Sequence, residues 1–145
     1  MNKILAYLKA SVGKEVPDSP SPLMRMLNPK VLKVEEGYLE FSYVVSEEMT
    51  NPLKILHGGA TAALIDEMVG AAVFTLDKSH VYTTVNLAVD YFSPAKIGET
   101  IIGISSIIKK GKKIIHAQCE VWNEDKTRMI ARGNSNLIKT EYENI

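Results

Sequence analysis

Hydrophobic positions change period several times along the 145 residues. Near the start, Ile4, Leu5 and Leu8 recur at helical spacing, and Pro17-Asp18-Ser19-Pro20-Ser21-Pro22 then carries too many prolines to extend a helix. A short, loosely attached helix followed by a Pro/Ser-rich linker is expected over residues 1–22. From Val31 the period falls to two. An apolar run to Val34, a Glu35-Glu36-Gly37 turn, and Leu39, Phe41, Tyr43 and Val45 alternating with Glu40 and Ser42 predict a hairpin. Residues 58–76 are rich in alanine, leucine, isoleucine and methionine, with apolar side chains on nearly every face of a helical wheel, so this helix requires cover on several sides. Four further runs, 81–91, 100–109, 113–123 and 129–140, are β-branched or aromatic and are separated by turn-forming segments. Such short links predict successive antiparallel neighbours.

The order helix, two strands, long apolar helix, four strands predicts the α+β class: one antiparallel sheet curled around a single central helix. A single domain, 1–145, is expected from this length. Composition then removes several classes of function. With 46% hydrophobic and 23% charged residues the chain can bury a real core. Its 17 Lys plus Arg cancel 17 Asp plus Glu, so no global field favours nucleic acid or an anionic membrane as partner. Asp66 and Glu67 interrupt the least polar stretch, which argues against a membrane span. One cysteine, Cys119, cannot form an internal disulfide, and the apolar run at the start is too short for a signal peptide, so a cytoplasmic location is expected.

Standard catalytic motifs are absent: no Walker loop, no dinucleotide fingerprint, no nucleophile elbow, and three histidines (His57, His80, His116) that are not spaced as metal ligands. No metal is expected. Cys119 shares a strand face with Ile115, Ala117 and Val121 and reads as a packed core residue. The informative stretch is 51–70. A helix beginning at Gly58 or Gly59 presents backbone N–H groups with no partner inside the helix, at the positive end of its dipole. Glycine there lets a ligand approach closely, although an ordinary loop-to-helix junction uses glycine too. Asp66 lies inside an apolar helix, where a carboxylate is costly unless it is paired or faces a cleft. It reads either as a solvent-facing acid beside Glu67 or as a base or nucleophile. Gly58 and Asp66 are separated by ~12 Å along one helix at 1.5 Å per residue. A two-fold dimer, with one helix start facing the middle of the other helix, would bring both features to one reacting carbonyl.

His57-Gly58-Gly59 followed by Asp66 and Gly70, then Tyr91-Phe92-Ser93-Pro94-Ala95 and Gly98-Glu99, resembles the hotdog-fold acyl-CoA thioesterases of the phenylacetate-degradation type. The resemblance runs from Val31 to Leu137. It implies a homodimer, commonly paired into a homotetramer, with active sites at the subunit interface. It also implies roles. Asp66 matches the acid that attacks the thioester or activates water, and Gly58 the glycine whose N–H polarises the carbonyl. Asn51 matches a side chain contacting the same carbonyl, and His57 a histidine that positions the loop and carbonyl. Thr84 matches a hydroxyl that holds the water or the acid.

Preorganised donors at a helix start suit the oxyanion of thioester hydrolysis, and an aspartate is ionised at neutral pH unless burial raises it strongly. Gly59 and Tyr82 are candidate substrate-binding residues, with Tyr82 and Thr84 on one face of their strand and Val85, Leu87 and Val89 on the other. Lys109, Lys110, Lys112 and Lys113 around Gly111 form the densest basic cluster, with Lys96 and Arg132 as further candidates. Lys110 and Lys112 could meet coenzyme A phosphates, or simply protect a strand edge. The expected function is hydrolysis of an acyl-CoA or acyl-carrier-protein thioester, with no cofactor beyond the coenzyme A of the substrate. A hydratase on the same fold and a non-catalytic acyl-CoA-binding module are the alternatives.

Overall fold

A computed structural model describes residues 2–76 and 78–143, so the two ends of the expected 1–145 domain lie outside the described residues. Helix α1 (Lys3–Ala10) and the short α2 (Pro22–Leu27) precede strands β1 (Lys30–Glu35) and β2 (Tyr38–Val44). A single 3-10 turn at Glu47–Met49 leads to helix α3 (Gly58–Phe74). Strands β3 (His80–Tyr91), β4 (Thr100–Lys110), β5 (Ile114–Asn123) and β6 (Met129–Glu143) complete the chain. All strand pairs are antiparallel, in one six-stranded sheet of order β1-β2-β4-β5-β6-β3 wrapped on α3. This is the hotdog arrangement. No described helix is long and apolar enough to cross a membrane.

Three expectations need correction. The N-terminal helix is firmly attached, because Leu5, Leu8 and Val16 are buried in the main core. Asn2 also fastens it: its Oδ1 accepts from Leu5 N–H at 2.7 Å, capping α1, while its Nδ2 donates to the carbonyls of Phe74 and Leu76 at the end of α3, at 2.8 and 2.9 Å. One short amide side chain thus satisfies orphan groups of two helices. The second correction concerns order. Strand β3 does not neighbour β4; it pairs with β6 at one margin of the sheet, and the 92–99 link carries the chain back to the middle. Link length alone could not show this, because a link of that size can cross over as well as turn back.

The third lies within β3. Thr84 pairs with Leu137 and Asn86 with Asn136, so Val85 is an extra residue bulged from the ladder and 59% exposed. A bulge advances the strand by one residue without advancing its partner, which inverts the alternation beyond it. Tyr82 is buried and Thr84 bonds to α3 before the bulge, while Leu87 and Val89 pack on the core after it. All four therefore share the helix side, whereas strict alternation separates Thr84 from Leu87.

Helix α3 needs no charged first turn, being capped by His57, and it buries Leu64, Ile65, Met68, Val69 and Ala72 against the sheet. Each of the four larger side chains contributes ~1.5 to 3 kcal/mol of burial, and the Ala72 methyl less. Close approach requires a glycine opposite: a Cβ at Gly133 would lie 2.6 Å from Cγ2 of Ile65. Cys119 is fully buried as expected, and that burial pushes its thiol well above the ordinary range, so it carries no thiolate at neutral pH.

Candidate active site

Two clusters form along α3, one at its start and one at its middle. At the start, His57 stands outside the helix in extended backbone conformation and its Nδ1 accepts from the Gly59 N–H at 2.8 Å. The ring lies so close over the backbone that a Cβ at Gly59 would sit 3.1 Å from Nδ1. The second glycine therefore makes room for the histidine ring. The His57 carbonyl accepts from both the N–H and the hydroxyl of the buried Thr61, at 2.9 and 3.1 Å. That double bond to Thr61 fixes the plane of the peptide whose N–H belongs to Gly58. From β3, the Tyr91 hydroxyl donates to the Gly58 carbonyl at 2.6 Å. The sequence gives Tyr91 no role beyond its place in a motif; nothing in its spacing reveals this contact.

At the middle, Asp66 is half-buried and its Oδ1 accepts from the Thr84 hydroxyl at 2.8 Å. The carboxylate that looked costly inside an apolar helix is thus partnered and open to solvent on one side. A hydroxyl donor fixes one oxygen and leaves the other available. Asn51, in the loop before α3, accepts through Oδ1 from the N–H groups of Leu53 and Ile55, at 2.9 and 3.4 Å. Those bonds set the orientation of the side-chain amide, whose Nδ2 is the donor end.

The structure brings Asp66 to Thr84, and His57, Gly58 and Gly59 to Tyr91, but keeps these two groups apart on one chain. Tyr82 sits in the core, and its hydroxyl donates to the Lys112 carbonyl at 2.6 Å, anchoring the β4–β5 hairpin to β3. Lys112 lines a recess of about 220 Å³ with Lys78, Ser79, His80, Tyr82 and Lys139. Lys110 is outside that recess, paired at 3.6 Å with Glu36. Arg132 stacks over the Phe92 ring, 5.7 Å from its centroid.

The family model described as the thioesterase superfamily matches residues 53–130, more than half of the chain. The chain belongs to the thioesterase superfamily. Among curated relatives, mouse acyl-coenzyme A thioesterase 13 is 37% identical over 89 residues, which is 61% of this chain and 64% of that protein. The chain thus matches somewhat under two thirds of that relative's length. Among solved structures of the superfamily, mouse thioesterase superfamily member 2 superposes with a TM-score of 0.79 at 28% identity, covering 96% of this chain and 98% of the other. The PaaI protein of the Escherichia coli phenylacetic acid degradation operon shares the fold, with a TM-score of 0.77 at 17% identity over 86% of this chain and 88% of its own.

Proposed function

We propose that this superfamily member hydrolyses an acyl-CoA thioester at a site shared by two copies of the chain. The observation that carries the reading is the Thr84-held carboxylate of Asp66, half-buried at the centre of a helix that is apolar apart from Asp66, its neighbour Glu67 and Thr61. The name of the mouse relative supports coenzyme A as the thiol carrier. In the reaction Asp66 attacks the acyl carbon or takes a proton from the attacking water. The carbonyl oxygen, as it becomes an oxyanion, is met by the Gly58 N–H and by Nδ2 of Asn51. The C–S bond then breaks, the sulfur takes one proton of the water and the acyl carbon takes its OH, directly or through hydrolysis of an acyl anhydride on Asp66, and a carboxylic acid and free thiol leave. Removing one such oxyanion donor typically costs ~2.7 to 4 kcal/mol of transition-state stabilisation. This chemistry calls for no metal or further cofactor.

Two copies are needed because Gly58 and Asp66 lie ~12 Å apart on one straight helix. The margin strand β3 offers a twelve-residue edge, with Thr83, Thr84, Val85, Asn86, Ala88, Asp90 and Tyr91 exposed. An unpaired edge of that length is a template for another strand. Thr84 marks Asp66 and Tyr91 marks Gly58, so the productive pairing sets Thr84 of one copy opposite Tyr91 of its mate. With the Val85 bulge counted as a single step, the two-fold axis of that pairing falls on Ala88.

Purified protein assayed against a panel of acyl-CoA esters with thiol detection tests the reading. Asp66→Asn is expected to abolish thiol release while leaving the fold and the dimer intact. Turnover undiminished in that variant overturns the assignment, and calorimetric binding of acyl-CoA without any turnover by the native chain would favour a binding module.

A further inference from the structure

The start of α3 carries a directed chain of hydrogen bonds that begins on β3. The Tyr91 hydroxyl donates to the Gly58 carbonyl at 2.6 Å. That carbonyl belongs to the same peptide unit as the Gly59 N–H, which in turn donates to Nδ1 of His57 at 2.8 Å. Every member points the same way, so each bond polarises the next. The end of the chain follows from the chemistry of imidazole. A ring nitrogen that accepts a hydrogen bond carries no proton, and the proton of the neutral ring then sits on the other nitrogen, Nε2. Nε2 is the atom on the far side of the ring from the helix backbone, and His57 is exposed.

We propose that Tyr91 is a positioning residue, acting through the Gly58–Gly59 peptide to hold His57 as a neutral ring with its proton on Nε2, where it donates toward the substrate carbonyl. The inference rests on the thioesterase reading only for what His57 meets; the tautomer and its dependence on Tyr91 stand on the geometry. Three features converge on it. Tyr91 reaches the peptide only because the Val85 bulge turns this stretch of β3 toward the helix. Gly59 lacks the Cβ that would push the His57 ring off the N–H. Thr61 holds the preceding peptide through the His57 carbonyl, so the Gly58 N–H keeps its direction beside His57. His57 is thereby set up to donate, and it cannot serve as a base through Nδ1 without breaking its helix cap.

Long-range proton–nitrogen correlation spectra of the nitrogen-15-labelled protein, with His57 assigned by difference from His57→Gln, read the tautomer directly at neutral pH. The native chain is expected to show protonated Nε2 and bare Nδ1; a proton on Nδ1 overturns the proposal whatever the activity. Tyr91→Phe keeps the ring packed on Gly58 and removes only the hydroxyl. It should shift the His57 nitrogens toward a mixture of tautomers and lower kcat about tenfold, with KM changed less than about twofold, as loss of a group that matters mainly in the transition state requires. Gly59→Ala, which crowds the ring from the other side, should shift the same nitrogens. Native spectra and kcat in Tyr91→Phe would overturn the role of Tyr91. If Asp66→Asn also leaves turnover unchanged, the hydrolase reading fails, while the tautomer result still decides the relay.

Discussion

Thr84 on β3 donates its hydroxyl hydrogen to Oδ1 of Asp66 across 2.8 Å, joining the sheet's margin strand to the middle of the central helix. The bond holds one carboxylate oxygen and directs the other away from β3. In Thr84→Val the shape is kept and the donor lost, so the acid can rotate. The expected result is a fall in kcat of about tenfold, ~1.4 kcal/mol, with a small change in KM. Steady-state thiol release measures it, and an unchanged kcat would show that Asp66 needs no orientation from the strand.

The proposed two-fold axis at Ala88 is open to a chemical check. Directly opposed residues of antiparallel strands have Cα atoms ~4.5 to 5.5 Å apart, within the ~4.4 to 6.8 Å that a disulfide spans. Ala88→Cys should therefore cross-link to a covalent dimer under mild oxidation. Cys119 is buried and does not compete. Non-reducing electrophoresis reads the outcome. A chain that stays monomeric when oxidised rules out this register.

On the outer sheet surface, Glu40 accepts from the Tyr38 hydroxyl at 2.7 Å and from Nζ of Lys126 at 3.3 Å. Burial pushes the Glu40 carboxyl up, but the bonds from Tyr38 and Lys126 outweigh it and hold the group below its ordinary range. Stability gained this way is present above the unfolded carboxylate range and is lost as pH falls through the folded value. Glu40→Gln should accordingly cost about 1 kcal/mol at neutral pH, with the gap to the native chain closing as the pH is lowered below ~4. Burial and then Glu40 push the Tyr38 phenol up to about 12. Its share of the stability is kept below the unfolded value near ~10 and is lost as pH rises toward the folded one. Urea unfolding across pH tests both ends; a gap that does not change with pH would detach the stability from this charge.

Much of this fold is legible in the sequence because its elements differ in period. Residues 58–76 are apolar on nearly every face, as an enclosed helix needs, and 31–45 alternate as a hairpin does. The order of strands is less legible. The same proline-containing link after Tyr91 is compatible with a turn or a crossover, and only the packing of β4 against β2 decides between them. The firm attachment of α1 escapes notice because it depends on Asn2 reaching the far end of α3, more than seventy residues along the chain. The site shows the same division. Asp66 declares itself through the cost of a charge among apolar neighbours, whereas Tyr91 looks like any strand aromatic until the bulge at Val85 is seen.

That bulge makes the length of β3 matter more than its composition. Substitutions along the strand can adjust contacts by degrees, and deleting Val85 would close the ladder with Tyr91 still on the helix side, yet inserting one residue between Val89 and Tyr91 would turn Tyr91 outward and leave the start of α3 without its brace. Within this strand, a lengthening by a single residue after Val89 is the change that would remove that brace while leaving Leu87 and Val89 on the core.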